Sequence, residues 1–186
     1  MSVYHFSFWA AALIIGLVLG YAAFRPVNRI SYNLRRRKDE TAMQQWLGEP
    51  LPQALMVDLN GRRWESADEA GRVLVLVFWS VSCGSCQDDL EKLNAVYREL
   101  KERGDFAMIG IPLQQETDVV AFMSARTGVE WPQTFEFESD SSRSLAARLH
   151  IRRSPSIWVV DREGIIRGVQ VTAAELPEVL DDILSP

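Results

Sequence analysis

Apolar positions fall into three kinds of pattern along the chain, and each predicts a different element. Residues 6–24, FSFWAAALIIGLVLGYAAF, are almost unbroken in apolar character, and no Asp, Glu, Lys or Arg occurs before Arg25. A run of this length crosses a bilayer as a helix. Tyr4, Trp9 and Tyr21 lie near its ends, where aromatic rings favour the headgroup layer, and Arg25 with Pro26 stops it. The pattern predicts a single transmembrane anchor over residues 1–24. A cleaved signal peptide fits less well, because a basic leading segment is missing and the small-residue site at Gly20 to Ala22 is poor.

Residues 25–49 form a polar, Arg-rich connector, with Gly48, Pro50 and Pro52 as breakers where the folded domain, 50–186, begins. QALMVDLNGRRWES predicts two short strands around Asn60-Gly61, and RVLVLVFW is a buried strand. From Asp88 to Arg103, apolar residues at Leu90, Leu93, Val96, Tyr97 and Leu100 have helical spacing, ended by Gly104. FAMIGIPL is a second buried strand; Thr117 to Arg126 is a helix closed by Gly128, and Ser141 to Leu149 is another after the short TFEFE stretch. SIWVV and IIRGVQV flank Asp161 to Gly164 as a hairpin. Thr172 with Glu175 forms a capping box for a last helix running to about Leu184. The order predicts an α/β domain: a sheet with parallel central strands, an antiparallel terminal hairpin and helices on both faces.

Composition changes this picture little, with 47% hydrophobic and 24% charged residues, enough for one core without covalent staples. Charge changes it more. Six of the 20 basic and two of the 25 acidic residues precede position 41, leaving 14 basic against 23 acidic, a formal −9, for the rest. An acidic domain argues against nucleic acid as a partner.

The chain has two cysteines, Cys83 and Cys86, where the buried strand gives way to the charged helix. A ring that small restrains the unfolded chain little, so their use is chemical. At a helix start, free backbone N–H groups and the helix dipole favour a thiolate. Cys83 then lies at the exposed start and Cys86 one turn in, the arrangement for two-step thiol–disulfide exchange. Zinc is disfavoured: it needs four ligands, there are no further cysteines, and the histidines are His5 in the anchor and His150 at a helix end.

EPLPQALMVDLNGRRWESADEAGRVLVLVFWSVSCGSC resembles the opening of TlpA-like proteins, membrane-tethered thiol–disulfide oxidoreductases of thioredoxin fold. The resemblance runs from about Pro50 to the C-terminus. It covers the inserted helix around Thr117 to Arg126 and RRSPSIWVVDREGIIRG, similar to the family's cis-proline loop and terminal hairpin. It implies a thioredoxin-like fold with an N-terminal hairpin and inserted helix behind a single transmembrane helix. It implies Cys83 and Cys86 as the catalytic pair, and a redox-active disulfide with no other cofactor. It makes Pro155 the cis-proline and, with Ser154 and Trp79, the substrate-binding set; a cis bond there leaves the Ser154 backbone free to pair with an extended substrate.

The departures are specific. Val77 stands where thioredoxins keep a buried carboxylate, Ser82 precedes Cys83 in place of an aromatic residue, and Glu91 replaces a frequent kinking proline. The proton acceptor then falls to the inserted segment, where Gln114 cannot ionise and Glu116 is the candidate. SVSC also reads as the S-x-x-C of a peroxiredoxin, but Leu76 stands where that motif has proline. Two function classes stay open: an oxidoreductase acting on protein thiols and disulfides, fed by an unknown electron donor, and a catalytically silent accessory or assembly subunit of a membrane complex. Residues 6–24 meet lipid in either case. For the side of the membrane, Arg25 to Lys38 follow the anchor and favour the cytoplasm, whereas the resemblance implies a bacterial inner membrane with the domain in the periplasm; the expectation follows the resemblance.

Overall fold

The computed structural model describes residues 37–113, 118–120, 129–136 and 144–185. The anchor expected over residues 1–24, Gln114, Glu116 and most of the helix expected over Thr117 to Arg126 lie outside them. Among the described residues no helix is long and apolar enough to cross a membrane. The chain divides into two units, 1–41 and 42–186, and the second holds both cysteines.

That second unit begins earlier than the sequence suggests. Met43 is buried, with Trp46 and Leu51 packed in the same cluster, and the Gly48 N–H donates to the Ile166 carbonyl at 2.8 Å. The end of the connector is therefore part of the fold, held by packing that no local pattern announces.

Among the described residues, seven strands build two sheets. Strands β1 (Leu55–Asp58) and β2 (Arg63–Glu65) are the expected antiparallel hairpin, and β1 also pairs with β5 (Thr134–Glu136), which is the TFEFE stretch. The hairpin loop is shaped by Asp58, whose carboxylate accepts from the Asn60 and Arg62 backbone N–H groups, each at 2.8 Å. Gly61 supplies the positive φ, 75°, that this loop needs.

The four-stranded sheet runs β4-β3-β6-β7, with β3 (Val73–Trp79), β4 (Phe106–Pro112), β6 (Ser156–Val160) and β7 (Ile166–Val171). Only β3 and β4 are parallel; β6 runs antiparallel to β3 and to β7. The expectation of parallel central strands is corrected: the two central strands, β3 and β6, pair antiparallel, and the parallel pair is β3 with the edge strand β4, joined through the crossover helix α1 (Gly84–Leu100).

The two-residue period of β3 divides the core between the faces of the sheet. Val73, Val75, Val77 and Trp79 pack with Leu93 and Val96 of α1 and with Leu176, Leu180 and Leu184 of α3 (Leu176–Leu184). Leu74, Leu76 and Phe78 pack on the other side with Trp158 and with Leu145 and Leu149 around the short α2 (Leu145–Arg148). α2 is shorter than expected, with Ser144 as its cap; residues 141–143 lie outside the described ones. Helix α3 begins behind the expected box: the Thr172 hydroxyl accepts from the Glu175 N–H at 3.2 Å, and the Glu175 carboxylate accepts from the Thr172 N–H at 3.1 Å.

Asp105, just before β4, joins the end of α3 to the sheet. Its carboxylate accepts from Arg103 Nε at 2.9 Å and from Arg162 Nη2 at 2.8 Å, while Arg162 Nη1 donates to the Ile183 carbonyl at 3.0 Å. The Arg103 and Arg162 hydrogen bonds hold the Asp105 carboxyl far below the usual carboxylate range. A depressed folded-state pKa adds stability above the unfolded value, near pH 4, that is lost as pH falls toward the folded one. In an Asp105→Asn variant the fall in Tm between pH 5 and pH 3 should be shallower than in the parent; an equal fall would remove Asp105 from the acid response.

Candidate functional site

The buried strand β3 ends at Trp79, and the chain turns through 80–83 into α1. Ser80 organises this turn. Its carbonyl accepts from the Cys83 N–H at 3.1 Å, and its hydroxyl, almost fully buried, lies 2.9 Å from the Ser82 hydroxyl. Gln87 reaches back from α1 to donate to the Val81 carbonyl at 3.1 Å. The turn is thus tied at both ends before any residue of the site is placed.

Cys83 is the N-cap of α1, in extended backbone, and its Sγ accepts from the Cys86 N–H at 3.1 Å. Helix α1 starts at Gly84, four residues before the apolar pattern becomes visible, its first turn held by this cap and by the packing of Cys86 in the core. Cys83 is half-buried and Cys86 is 3% exposed, and the two are joined as a disulfide with Cα atoms 5.3 Å apart. The outer sulfur is the one that a partner can reach. Ser85 Oγ lies 3.3 Å from Cys83 Sγ, a second polar group able to donate to that sulfur once it is a thiolate.

The Ser154–Pro155 bond is cis, and the Ser154 carbonyl oxygen lies 3.3 Å from Cys83 Sγ. Both residues are half-buried, so the segment before β6 and the outer sulfur share one surface. The fold therefore brings Cys83, Cys86, Ser154 and Pro155 together.

Trp79 does not join them on that surface. Its side chain is 1% exposed, packs in the α1-side core and donates from Nε1 to Gln133 Oε1 at 2.8 Å. Expected in the substrate-binding set, Trp79 is placed at the end of a fully buried strand, apart from the surface shared by Cys83, Ser154 and Pro155. Glu116 and Gln114 lie outside the described residues. Val77, in the position of the thioredoxin carboxylate, is buried among apolar neighbours of β3.

Three contributors escaped sequence reasoning. Gln133, 3% exposed, bridges Trp79 and the Trp131 carbonyl, to which its Nε2 donates at 2.9 Å. Gly110 leaves the space Gln133 occupies: a Cβ there would lie 2.1 Å from Gln133 Oε1. Ser80 is visible in SVSC only as a spacing, and its buried hydroxyl becomes evident only from its contacts.

An α/β domain with a four-stranded mixed sheet, an N-terminal hairpin sheet and a cysteine pair at the mouth of the helix after the central strand defines a thioredoxin-like protein. Solved structures share this fold: a thiol:disulfide interchange protein from Bacteroides sp. superposes with TM-score 0.66 at 21% identity, covering 75% of this chain and 91% of that one. The thioredoxin domain of a thiol-disulfide oxidoreductase from Bacteroides vulgatus gives 0.66 at 22% identity, covering 73% and 96%.

The chain belongs to the AhpC/TSA family, whose profile matches residues 47–169. Among curated relatives, the thioredoxin-like protein YneN of Bacillus subtilis is 20% identical over 176 residues, 93% of this chain and 96% of YneN. The thiol-disulfide oxidoreductase ResA of Bacillus thuringiensis subsp. konkukian is 25% identical over 141 residues, 74% and 78% of the two chains.

Proposed function

We propose that this protein is a membrane-anchored thiol–disulfide oxidoreductase that exchanges disulfides with protein substrates through Cys83 and Cys86. The observation that carries the reading is the unequal placement of the two sulfurs: one half-buried at a helix start beside the Ser154 carbonyl, the other inside.

In the reducing direction the Cys83 thiolate attacks a substrate disulfide, forming a mixed disulfide and releasing one substrate thiolate, which takes up a proton. The Cys86 thiolate then attacks Cys83 Sγ, re-forming the Cys83–Cys86 bond and releasing the second substrate thiol. Two electrons pass from the pair to the substrate. In the oxidising direction every step reverses. The Cys86 N–H and the Ser85 hydroxyl favour negative charge on Cys83 Sγ, whereas the Ser154 carbonyl oxygen opposes it and can accept from the protonated thiol. No further cofactor is required by this chemistry.

The apolar segment 6–24 supports attachment to a bacterial inner membrane by one span. We place the domain in the periplasm, where a disulfide exchanger meets unfinished substrates. Fusing alkaline phosphatase and, separately, green fluorescent protein to the C-terminus tests this in a bacterial host. Phosphatase activity without fluorescence is expected, and the opposite pair of results would put Cys83 in the cytoplasm.

The redox reading is tested by turnover: the full-length reduced protein, recycled by a dithiol, should accelerate the reduction of insulin disulfides. No acceleration would favour the accessory-subunit reading, in which the domain serves contact within a membrane complex.

A further inference from the structure

Between the end of β3 at Trp79 and the start of α1 at Gly84, residues 80–83 must turn the chain and present a sulfur at a helix start. Cys83 sits there in extended backbone, φ −90° and ψ 107°, the conformation of an N-cap. From that conformation its Sγ lies where the Cys86 N–H donates to it, at 3.1 Å. The backbone of residues 80–82 therefore decides where the outer sulfur is held.

Two side chains fix that backbone. Ser80 is 9% exposed; its carbonyl accepts from the Cys83 N–H at 3.1 Å and its hydroxyl from the Ser82 N–H at 3.3 Å, so one residue closes the turn twice. The same hydroxyl meets that of Ser82 at 2.9 Å. From the other side Gln87, half-buried on α1, donates from Nε2 to the Val81 carbonyl at 3.1 Å. A hydroxyl bonded to the backbone two residues on selects one turn over its alternatives, and the Gln87 amide ties that turn to the helix it starts.

The need for these ties depends on the redox state. With Cys83 and Cys86 joined, the covalent ring keeps Cys83 beside the helix start. Reduction removes that restraint, and the turn is then what keeps Sγ over the Cys86 N–H.

We propose that Ser80 and Gln87 are positioning residues for the exchange reaction: by clamping residues 80–82 they hold Cys83 Sγ at the N-cap in the reduced protein, where the Cys86 N–H and the helix dipole stabilise its thiolate. The inference rests on the thiol–disulfide reading and gives two residues outside the cysteine pair and the proline loop a share in the reactivity of the outer sulfur. Loss of either clamp raises the free energy of the reduced form more than that of the disulfide form. One hydrogen bond is worth roughly a two- to tenfold factor in such an equilibrium.

The full-length parent, Ser80→Ala, Ser80→Thr and Gln87→Met are each equilibrated with glutathione and glutathione disulfide, and the reduced fraction is counted by alkylation. In this reaction the protein disulfide takes two electrons and two protons from two glutathione thiols, which leave as one glutathione disulfide. Ser80→Ala and Gln87→Met should each favour the protein disulfide by about three- to tenfold over the parent, and Ser80→Thr, which keeps the hydroxyl, should stay within about twofold of it. In a Cys86→Ser background, where Cys83 is the one remaining thiol, the pH midpoint of its alkylation should rise in Ser80→Ala and Gln87→Met and return toward the parent in Ser80→Thr.

A role confined to holding the fold would lower the Tm of oxidised and reduced forms equally and leave the equilibrium and the midpoint in place. That result, or a shift of either readout in the opposite direction, would overturn the proposal, and a Ser80→Thr protein that behaves like Ser80→Ala would remove the Ser80 hydroxyl from it. Gln87→Met tests the clamp from the helix side even if Ser80→Ala does not fold. Neither readout uses a protein substrate, so a lack of insulin turnover would count against the proposed function and not against this positioning role.

Discussion

Replacing Cys83 with serine should abolish turnover, leaving disulfide reduction at its uncatalysed rate. The attacking species in exchange is a thiolate, and a serine hydroxyl is not ionised near neutral pH. The remaining thiol, Cys86, is 3% exposed on the inner side of α1, so a folded substrate cannot bring its disulfide into line with it. Cys86→Ser should behave differently. With the pre-reduced protein and no recycling dithiol, attack through Cys83 survives and releases one substrate thiol per protein molecule, where the parent releases two, because the resolving sulfur is gone. Counting thiols released per protein molecule separates the two variants, and equal turnover by Cys83→Ser and the parent would refute the assignment of Cys83 as the nucleophile.

The second large effect is expected from Gly110→Ala. A Cβ at this position would meet Gln133 Oε1, Nε2 and Cδ at 2.1, 2.4 and 2.5 Å, so the buried amide must move. Moving it breaks the 2.8 Å bond from Trp79 Nε1 and the 2.9 Å bond to the Trp131 carbonyl, in a region with little water to replace them. Overpacking together with an unsatisfied buried donor costs about 2–4 kcal/mol, a fall in Tm of roughly 4–15 °C for a domain of this size. Gly104→Ala is the control, since nothing lies within 4 Å of a Cβ there, and it should be close to neutral. Because Trp79 packs in the same cluster as Cys86 and ends the strand that leads into the turn, Gly110→Ala should also change tryptophan fluorescence and slow exchange. Unchanged stability would mean that the Trp79–Gln133–Trp131 cluster does not support the site.

The parts of the fold that were legible in the sequence are those set by short-range rules. The continuous apolar run that makes β3 buried on both faces, the Asn60-Gly61 loop and the Thr172–Glu175 box can each be read within ten residues, and each appears where expected. The cysteine pair was legible for the same reason, since its chemistry depends on the strand before it and the helix after it. What was not legible depends on contacts distant in sequence. The run containing β5 looks like part of the alternating pattern, yet it pairs with β1 across more than seventy residues and leaves the main sheet with a single parallel pair. Trp79 entered the substrate-binding set through the resemblance; its place at the end of a buried strand, hydrogen-bonded to Gln133, depends on residues distant in sequence, and Gln133 has no marker of its own in WPQTF.

The claim that Cys83 is the outward, attacking sulfur and Cys86 the inward, resolving one is tested most directly by trapping in cells. Full-length Cys86→Ser and Cys83→Ser proteins are expressed in a bacterial host, free thiols are blocked with acid and an alkylating agent, and disulfide-linked partners are resolved by non-reducing electrophoresis. Cys86→Ser should accumulate mixed disulfides with several proteins that vanish on reduction, and Cys83→Ser should accumulate few. Equal trapping by both variants, or more by Cys83→Ser, would contradict the account.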